Sequence, residues 1–239
     1  MVEHSPAATQ PSGTEAAARV CWECKATLGN SHFCPACGKL QRQLSDIDYF
    51  SFFGLPRKLD LDLTKLEEQF HQLSWKLHPD NFSQATAYER ALSLEKSAML
   101  NDAYRTLRDP IARALYLLGL EGVSRQGEDK PQAPPDLLEE VFELNECLEE
   151  LRQARRSSTD AEQFAKLRQR LQRAWQAFAA KLAATEEELF ACFRAWDALV
   201  DAATFPAERK TKLTQMSEIL NRHSYIRNLL HNVQAELEE

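Results

Sequence analysis

The chain has 239 residues, 44% hydrophobic and 27% charged, with a formal net charge of −7 and only seven glycines. A glycine share below half of the usual roughly 7% leaves few positions for left-handed turns, so long helices joined by few loops are expected. The longest uninterrupted apolar run near the middle, Ala114 to Leu120, falls far short of the roughly 20 residues of a membrane span, and the acidic balance argues against a broad phosphate-binding face.

In chain order, residues 1–19 are rich in Ala, Ser, Thr, Pro and Gln and lack large apolar side chains, which predicts a disordered N-terminus. Met1 to Thr14 contain neither Lys nor Arg and no apolar core, unlike a secretory signal, and the first twenty residues hold one arginine, unlike an Arg-rich transit segment. A reducing, cytoplasmic location is the expectation.

Residues 20–42 hold four of the six cysteines, as Cys21-Trp-Glu-Cys24 and Cys34-Pro-Ala-Cys37. Each C-x-x-C turn presents two thiolates on one side, and two such turns complete a tetrahedral shell of four sulfurs. The segment is too short to form a core from side chains alone, so a structural Zn²⁺, one per chain, is the predicted source of its folding energy. A four-sulfur iron site uses the same donors. Disulfides are disfavoured by the compartment, and a redox C-x-x-C needs one pair only. His32 is expected to be a bystander, and Cys147 and Cys192 stand alone.

A helical domain is expected over residues 46–121. Thr64 with Glu67 reads as a capping box, followed by Leu66, Phe70, Leu73 and Leu77 on one helix face. Pro79 should end that helix, because proline lacks the amide donor and biases His78 away from helical geometry. A second long pattern runs through Tyr88, Ala91, Leu94, Ala98, Tyr104 and Leu107. Asp109-Pro110 should cap a short helix with Ile111, Leu115 and Leu118 inside. Residues 122–135, with Gly122, Gly127, Pro131, Pro134 and Pro135 among charges, read as a linker.

Residues 136–239 carry helical stripes that predict a bundle of three or four members. Leu137, Val141, Leu144, Leu148 and Leu151 form one stripe. Phe164, Leu167, Leu171, Trp175, Phe178 and Leu182 form a second. Leu189, Phe193, Trp196 and Val200 continue it, with Thr185 capping toward Glu188 as a candidate helix start. Leu213, Met216, Leu220, Leu230 and Leu237 mark the last. Charge divides as +1 over residues 1–42, −3 over 43–122 and −5 over 123–239. The fold class expected is all-α, with a small zinc knuckle ahead of two acidic helical domains.

The second chemical signal is His78-Pro79-Asp80, which interrupts two helical patterns and sets a His and an Asp at an exposed tip. The pair lacks a nucleophile or pocket, and the chain shows neither a Gly-rich phosphate loop nor a Ser/His/Asp pattern. A non-enzymatic protein is expected.

Asp48-Tyr-Phe-Ser-Phe-Phe-Gly-Leu-Pro56, Leu77-His-Pro-Asp-Asn-Phe82, Asn101-Asp-Ala-Tyr-Arg-Thr-Leu-Arg-Asp-Pro110 and Arg113-Ala-Leu-Tyr-Leu-Leu118 together resemble a J-domain. More narrowly they resemble HscB-type co-chaperones of iron–sulfur cluster assembly, over about residues 20–239, and the four-cysteine segment resembles the metal-binding extension of some members. The resemblance implies a J-domain over 46–121 whose His78, Pro79 and Asp80 contact a DnaK/HscA-type chaperone and stimulate its ATP hydrolysis. An ionised Asp80 can accept a charge-assisted hydrogen bond from a partner arginine. Lys65 and Lys76, with His71, are the basic contacts on the preceding helix, and Asn81 stands where many J-domains carry a cation. The resemblance further implies that the C-terminal bundle binds an IscU-type scaffold through Leu138, Phe142, Glu143 and Glu146 of its first helix and Tyr225 of its last. Leu138 and Phe142 lie off the Val141, Leu144, Leu148 stripe, as an interface patch requires.

The function expected is that of an adaptor that delivers the scaffold to the chaperone and triggers hydrolysis. Alternatives are a zinc-binding J-protein with another client, a thiol redox or metal-transfer protein, and a nucleic-acid-binding zinc module. Neither a membrane nor a nucleic acid is an expected partner. The +1 charge of residues 1–42 gives the nucleic-acid reading little support.

Overall fold

The computed structural model describes residues 19–29, 31–42, 47–123, 133–157, 160–202 and 206–238. The expected disordered segment therefore lies outside the described residues except for Arg19, and the expected linker lies outside them from 124 to 132. The described residues form an all-helical fold. Its α-helices are α1 (Tyr49–Phe52), α2 (Leu63–Leu77), α3 (Ala87–Arg108), α4 (Pro110–Leu120), α5 (Leu138–Arg156), α6 (Ala161–Asp201) and α7 (Pro206–Glu238). Short 3₁₀ turns at Pro79–Phe82 and Pro135–Leu137 precede α3 and α5. No helix among the described residues is long and apolar enough to cross a membrane. The chain divides into two compact units, one of residues 1–47 with 74–99 and one of 48–73 with 100–239.

The larger unit begins with a capped turn. Asp48 has extended backbone and its Oδ1 accepts the N–H of Ser51 at 2.8 Å, which starts α1. The other oxygen receives Nε and Nη2 of Arg57 at 3.0 and 2.7 Å. Gly54, at φ 68, makes the left-handed turn that lets the Leu55 N–H reach the Phe50 carbonyl at 2.8 Å. The start of α2 differs from expectation. Asp62, not Thr64, holds the cap, its Oδ1 accepting the Lys65 N–H at 3.1 Å. An aspartate two residues upstream places its carboxylate on the same orphan donors, so Thr64 already lies inside the helix.

Phe70 of α2 stacks on Tyr104 of α3 with centroids 4.1 Å apart. Asp109 caps α4 as expected, accepting the Ala112 N–H at 2.7 Å with Pro110 at the first helical position. On α4, Tyr116 stacks on Tyr49, and its hydroxyl accepts the Tyr49 N–H at 2.9 Å. Arg113 is buried, donating Nε to the Leu59 carbonyl at 3.0 Å and Nη1 to the Leu107 carbonyl.

Among the described residues the bundle has three helices, α5, α6 and α7. Its core joins Val141, Leu144, Leu148 and Leu151 of α5, Leu171 and Phe178 of α6, and Ile226, Leu230 and Val233 of α7. Each such side chain withdrawn from water contributes about 1.5–3 kcal/mol. Arg152 and Arg155 of α5 close the open end on Glu236 of α7, with Arg155 Nη1 at 3.0 Å. The two stripes expected on either side of Thr185 belong to one 41-residue helix. Thr185 is no cap: it is buried and donates its hydroxyl to the Lys181 carbonyl at 2.8 Å. Neither Gly nor Pro interrupts residues 161–201, so nothing in the backbone stops propagation there.

The smaller unit holds the cysteine segment, the last turn of α2, the loop that follows and the N-terminal half of α3. Here the expected α3 stripe is corrected. Tyr88, Ala91, Leu94 and Ala98 are exposed, whereas Glu89, Leu92, Ser93 and Lys96 are buried. The buried face is polar because it meets hydrogen-bonding groups of the loop and the cysteine segment, so the apolar spacing pointed outward.

Candidate functional site

The cysteine segment is built from two turns that repeat each other bond for bond. The Cys21 N–H donates to the Ala26 carbonyl at 2.8 Å, and the Lys25 N–H donates to the Cys21 carbonyl at 3.1 Å. Thirteen residues on, the Cys34 N–H donates to the Lys39 carbonyl and the Gly38 N–H to the Cys34 carbonyl, both at 2.9 Å. Lys25 at φ 62 and Gly38 at φ 73 supply the left-handed residue after each pair. Single antiparallel bridges, Val20 with Thr27 and Phe33 with Leu40, flank the turns.

This geometry gathers the four sulfurs. Cys21 Sγ lies 3.6 Å from Cys37 Sγ, Cys24 Sγ lies 3.6 Å from Cys34 Sγ, and all four fall within 4.8 Å of one another. A tetrahedral zinc shell with bonds of about 2.3 Å places its sulfurs about 3.8 Å apart, so the donor set fits a metal ion. Cys21 and Cys34 are buried and Cys24 and Cys37 exposed. Burial opposes ionisation of Cys21, but the amides of Cys24 and Glu23 and the thiols of Cys24 and Cys37 outweigh it and lower its pKa to about 6. At Cys37 the Lys39 amide favours the thiolate, yet burial and the other three thiols push it up to about 12. Sulfurs this close resist carrying several negative charges unless a cation sits among them. His32 stands aside from the sulfurs, its Nδ1 3.2 Å from Lys96 Nζ.

The His-Pro-Asp loop lies between α2 and α3. Helix α2 stops at Leu77, whose carbonyl takes the hydroxyls of Ser93 at 2.7 Å and Ser97 at 2.9 Å. His78 is extended at ψ 131, as a residue before proline favours, and Pro79 opens the 3₁₀ turn. His78 Nδ1 accepts the Asp80 N–H at 3.3 Å and lies 3.5 Å from Asp80 Oδ2. The Asp80 side chain is 89% exposed, so its carboxylate is free to meet a donor from outside. Asn81 Nδ2 donates to the Trp75 carbonyl at 2.6 Å and fastens the loop to the last turn of α2. Lys76 is exposed beside the loop. Lys65 is exposed and paired with Asp62 at 3.0 Å. Trp75, 73% exposed, lies off the Leu66, Phe70, Leu73 and Leu77 face and belongs to no motif that the sequence offered.

A second omission joins the loop to the cysteine segment. The opening of α3 is a reciprocal cap: the Glu89 N–H donates to Thr86 Oγ1 at 3.2 Å, and Glu89 Oε2 accepts the Thr86 hydroxyl at 3.0 Å and its N–H at 3.4 Å. Lys39, two residues after Cys37, donates to Glu89 Oε1 at 2.9 Å. Trp22 packs edge-on against Tyr88 with centroids 5.2 Å apart and donates Nε1 to the Leu40 carbonyl at 2.8 Å. Thr-x-x-Glu is a readable signal, but Thr64 and Glu67 show the same spacing.

On α5, Leu138 and Phe142 are 54% and 65% exposed while Leu137, Val141 and Leu144 are buried. Glu143 and Glu146 are exposed on the same helix. Glu143 also lines a groove of about 260 Å³ between α5 and α6, with Leu144, Cys147, Phe178 and Lys181. Tyr225 of α7 is half-buried and packs against the bundle core. Cys147 and Cys192 are buried, and burial raises both thiols above their ordinary range.

The chain thus sets a His-Pro-Asp loop between two helices, behind a four-cysteine segment and ahead of a helical bundle. HscB-type co-chaperones are homologues of this chain. It is 39% identical over 132 residues to the iron-sulfur cluster co-chaperone protein HscB of Mus musculus, covering 54% of this chain and 56% of that protein. It is 43% identical over 103 residues to the co-chaperone protein HscB homolog of Vibrio cholerae, covering 43% and 60%. The matches thus span less than two thirds of the length of these curated relatives. The crystal structure of human co-chaperone protein HscB superimposes with a TM-score of 0.61 at 27% identity, covering 91% of this chain and 98% of that one. No family model matches.

Proposed function

We propose that the chain is a co-chaperone of iron–sulfur cluster assembly that works without covalent chemistry. The observation that carries this reading is the exposed His78-Pro79-Asp80 turn in a chain homologous to HscB proteins. Pro79 fixes the backbone, His78 holds the Asp80 amide, and the Asp80 carboxylate is offered to an arginine of a DnaK/HscA-type chaperone, whose ATP hydrolysis it stimulates. Lys76 and Lys65 add basic contacts. The domains in this reading are a knuckle over 20–42, a J-domain over 46–121, a linker over 122–135 and a scaffold-binding bundle over 136–239.

The bundle delivers an IscU-type scaffold, held by Leu138, Phe142, Glu143, Glu146 and Tyr225. The exposure of Leu138 and Phe142 beside two free carboxylates supports that role. Cys21, Cys24, Cys34 and Cys37 hold one structural Zn²⁺. The proposed location is cytoplasmic.

The test is steady-state ATPase stimulation of an HscA-type chaperone in the presence of its scaffold, wild type against His78→Gln. Loss of stimulation in the variant is expected; an unchanged rate overturns the reading.

A further inference from the structure

The segment from His78 to Thr86 has two anchored ends, and both anchors stand on α3. At one end the Leu77 carbonyl is held by the Ser93 and Ser97 hydroxyls. At the other, Thr86 is held by Glu89. Glu89 is 4% exposed at its side chain and serves two masters with one carboxylate: Oε2 receives Thr86 and Oε1 receives Lys39 of the knuckle. A buried carboxylate that loses its only cationic partner keeps its charge in a low-dielectric site with one oxygen left without a donor. Releasing Lys39 therefore weakens the cap at Thr86.

Lys39 is held in place by the knuckle. Its carbonyl accepts the Cys34 N–H, and it follows the left-handed Gly38 on the turn set by Cys34 and Cys37. Among the described residues that segment buries only Cys21, Leu28, Cys34 and Leu40 of its apolar side chains, too little to hold the turns without a metal ion. Two further links run the same way: Trp22 on Tyr88, and His32 Nδ1 3.2 Å from the buried Lys96.

We infer that Glu89 is a positioning residue through which the four-cysteine centre orders the His78–Thr86 loop, so that metal binding and loop order are one coupled equilibrium. The consequence for a chaperone rests on the function proposed above; the coupling itself does not. Coupling is reciprocal, so loosening the cap must also weaken metal binding.

The experiment uses the full chain, zinc-loaded and zinc-stripped by chelator under reducing conditions, and reads amide hydrogen exchange across residues 78–86. Stripping should speed exchange there about tenfold. In Glu89→Gln the loop should already exchange fast, with little further change on stripping, and zinc affinity by chelator competition should fall about tenfold. Lys39→Met keeps both Thr86 and Glu89 but removes the link to the knuckle, and should reproduce the loss of coupling with helix content unchanged by circular dichroism. The inference is overturned if stripping speeds exchange in residues 20–42 alone, or if the variants respond to stripping as wild type does. With a chaperone, stripping should raise the concentration for half-maximal ATPase stimulation and leave the maximum intact. If the loaded wild type stimulates nothing, the proposed function fails while the exchange data still decide the coupling.

Discussion

Asp197, near the end of α6, accepts the N–H of Leu59 at 2.7 Å on one carboxylate oxygen and that of Asp60 at 2.8 Å on the other. The neighbouring Trp196 donates Nε1 to the Arg57 carbonyl at 2.9 Å. Three backbone groups of the irregular segment between α1 and α2 thus find their partners in residues more than 130 positions away. Burial pushes the Asp197 carboxyl up, against the two amides that favour its ionised form.

Removing that acceptor should be among the more damaging single changes in the larger unit. Asp197→Ala leaves two backbone donors without partners, each worth about 1–3 kcal/mol, so a loss of about 3 kcal/mol is expected. Asp197→Asn keeps one acceptor and should lose less. Urea denaturation of both variants measures the difference.

Asp48 makes acid stability specific. Burial raises its pKa, but the Ser51 amide and the Arg57 guanidinium outweigh that and hold it below the ordinary value of 3.8. Its contribution is therefore complete above that value and is lost as pH falls through the depressed folded-state pKa. Asp48→Asn should cost about 2 kcal/mol at neutral pH and flatten the acid limb of the stability profile. Thermal melts from pH 7 down to acid read both effects.

Metal content tests the knuckle directly. Protein purified under reducing conditions should carry one zinc per chain, and cobalt substitution should give the absorption of a tetrahedral four-thiolate site. Cys34→Ser should lower metal retention and increase proteolysis within residues 20–42. Iron in place of zinc would correct the metal and keep the ligands; absence of metal would overturn the site.

Leu138 and Phe142 should matter for association and little for folding. Exposed positions away from caps usually change stability by no more than about 0.5 kcal/mol. Leu138→Ser with Phe142→Ser should thus keep the melting temperature near wild type, abolish scaffold binding in calorimetry and leave basal chaperone stimulation intact. Retained scaffold affinity would remove these residues from the interface.

What could be read from the sequence follows how local each signal is. The four sulfurs come together through two turns of a few residues each, so C-x-x-C spacing was enough to find them. Pro79 and the Asp109-Pro110 cap also act on their own neighbours, and the helix boundaries at both places are as expected. The face of α3 was misread because Ala91, Leu94 and Ala98 have helical spacing, while the groups on its buried side are Glu89, Ser93 and Lys96. Those residues are buried because Lys39, the Leu77 carbonyl and His32 reach them from other segments, which no periodicity encodes. Thr64 and Thr185 failed as caps for opposite reasons. A better-placed Asp62 took over the first, and at the second nothing ended the helix.

The unbroken α6 makes the larger unit a measuring device. Phe178 sits in the bundle core while Asp197 grips the loop between α1 and α2, nineteen helical positions or about 28 Å further along. One inserted residue between them would lengthen that interval by about 1.5 Å and turn one end by about 100° relative to the other. Substitutions in this stretch can be absorbed one side chain at a time, whereas a change in its length would swing Asp197 away from its two amides. The number of residues between the two grips is thus as much a part of the design as their identity.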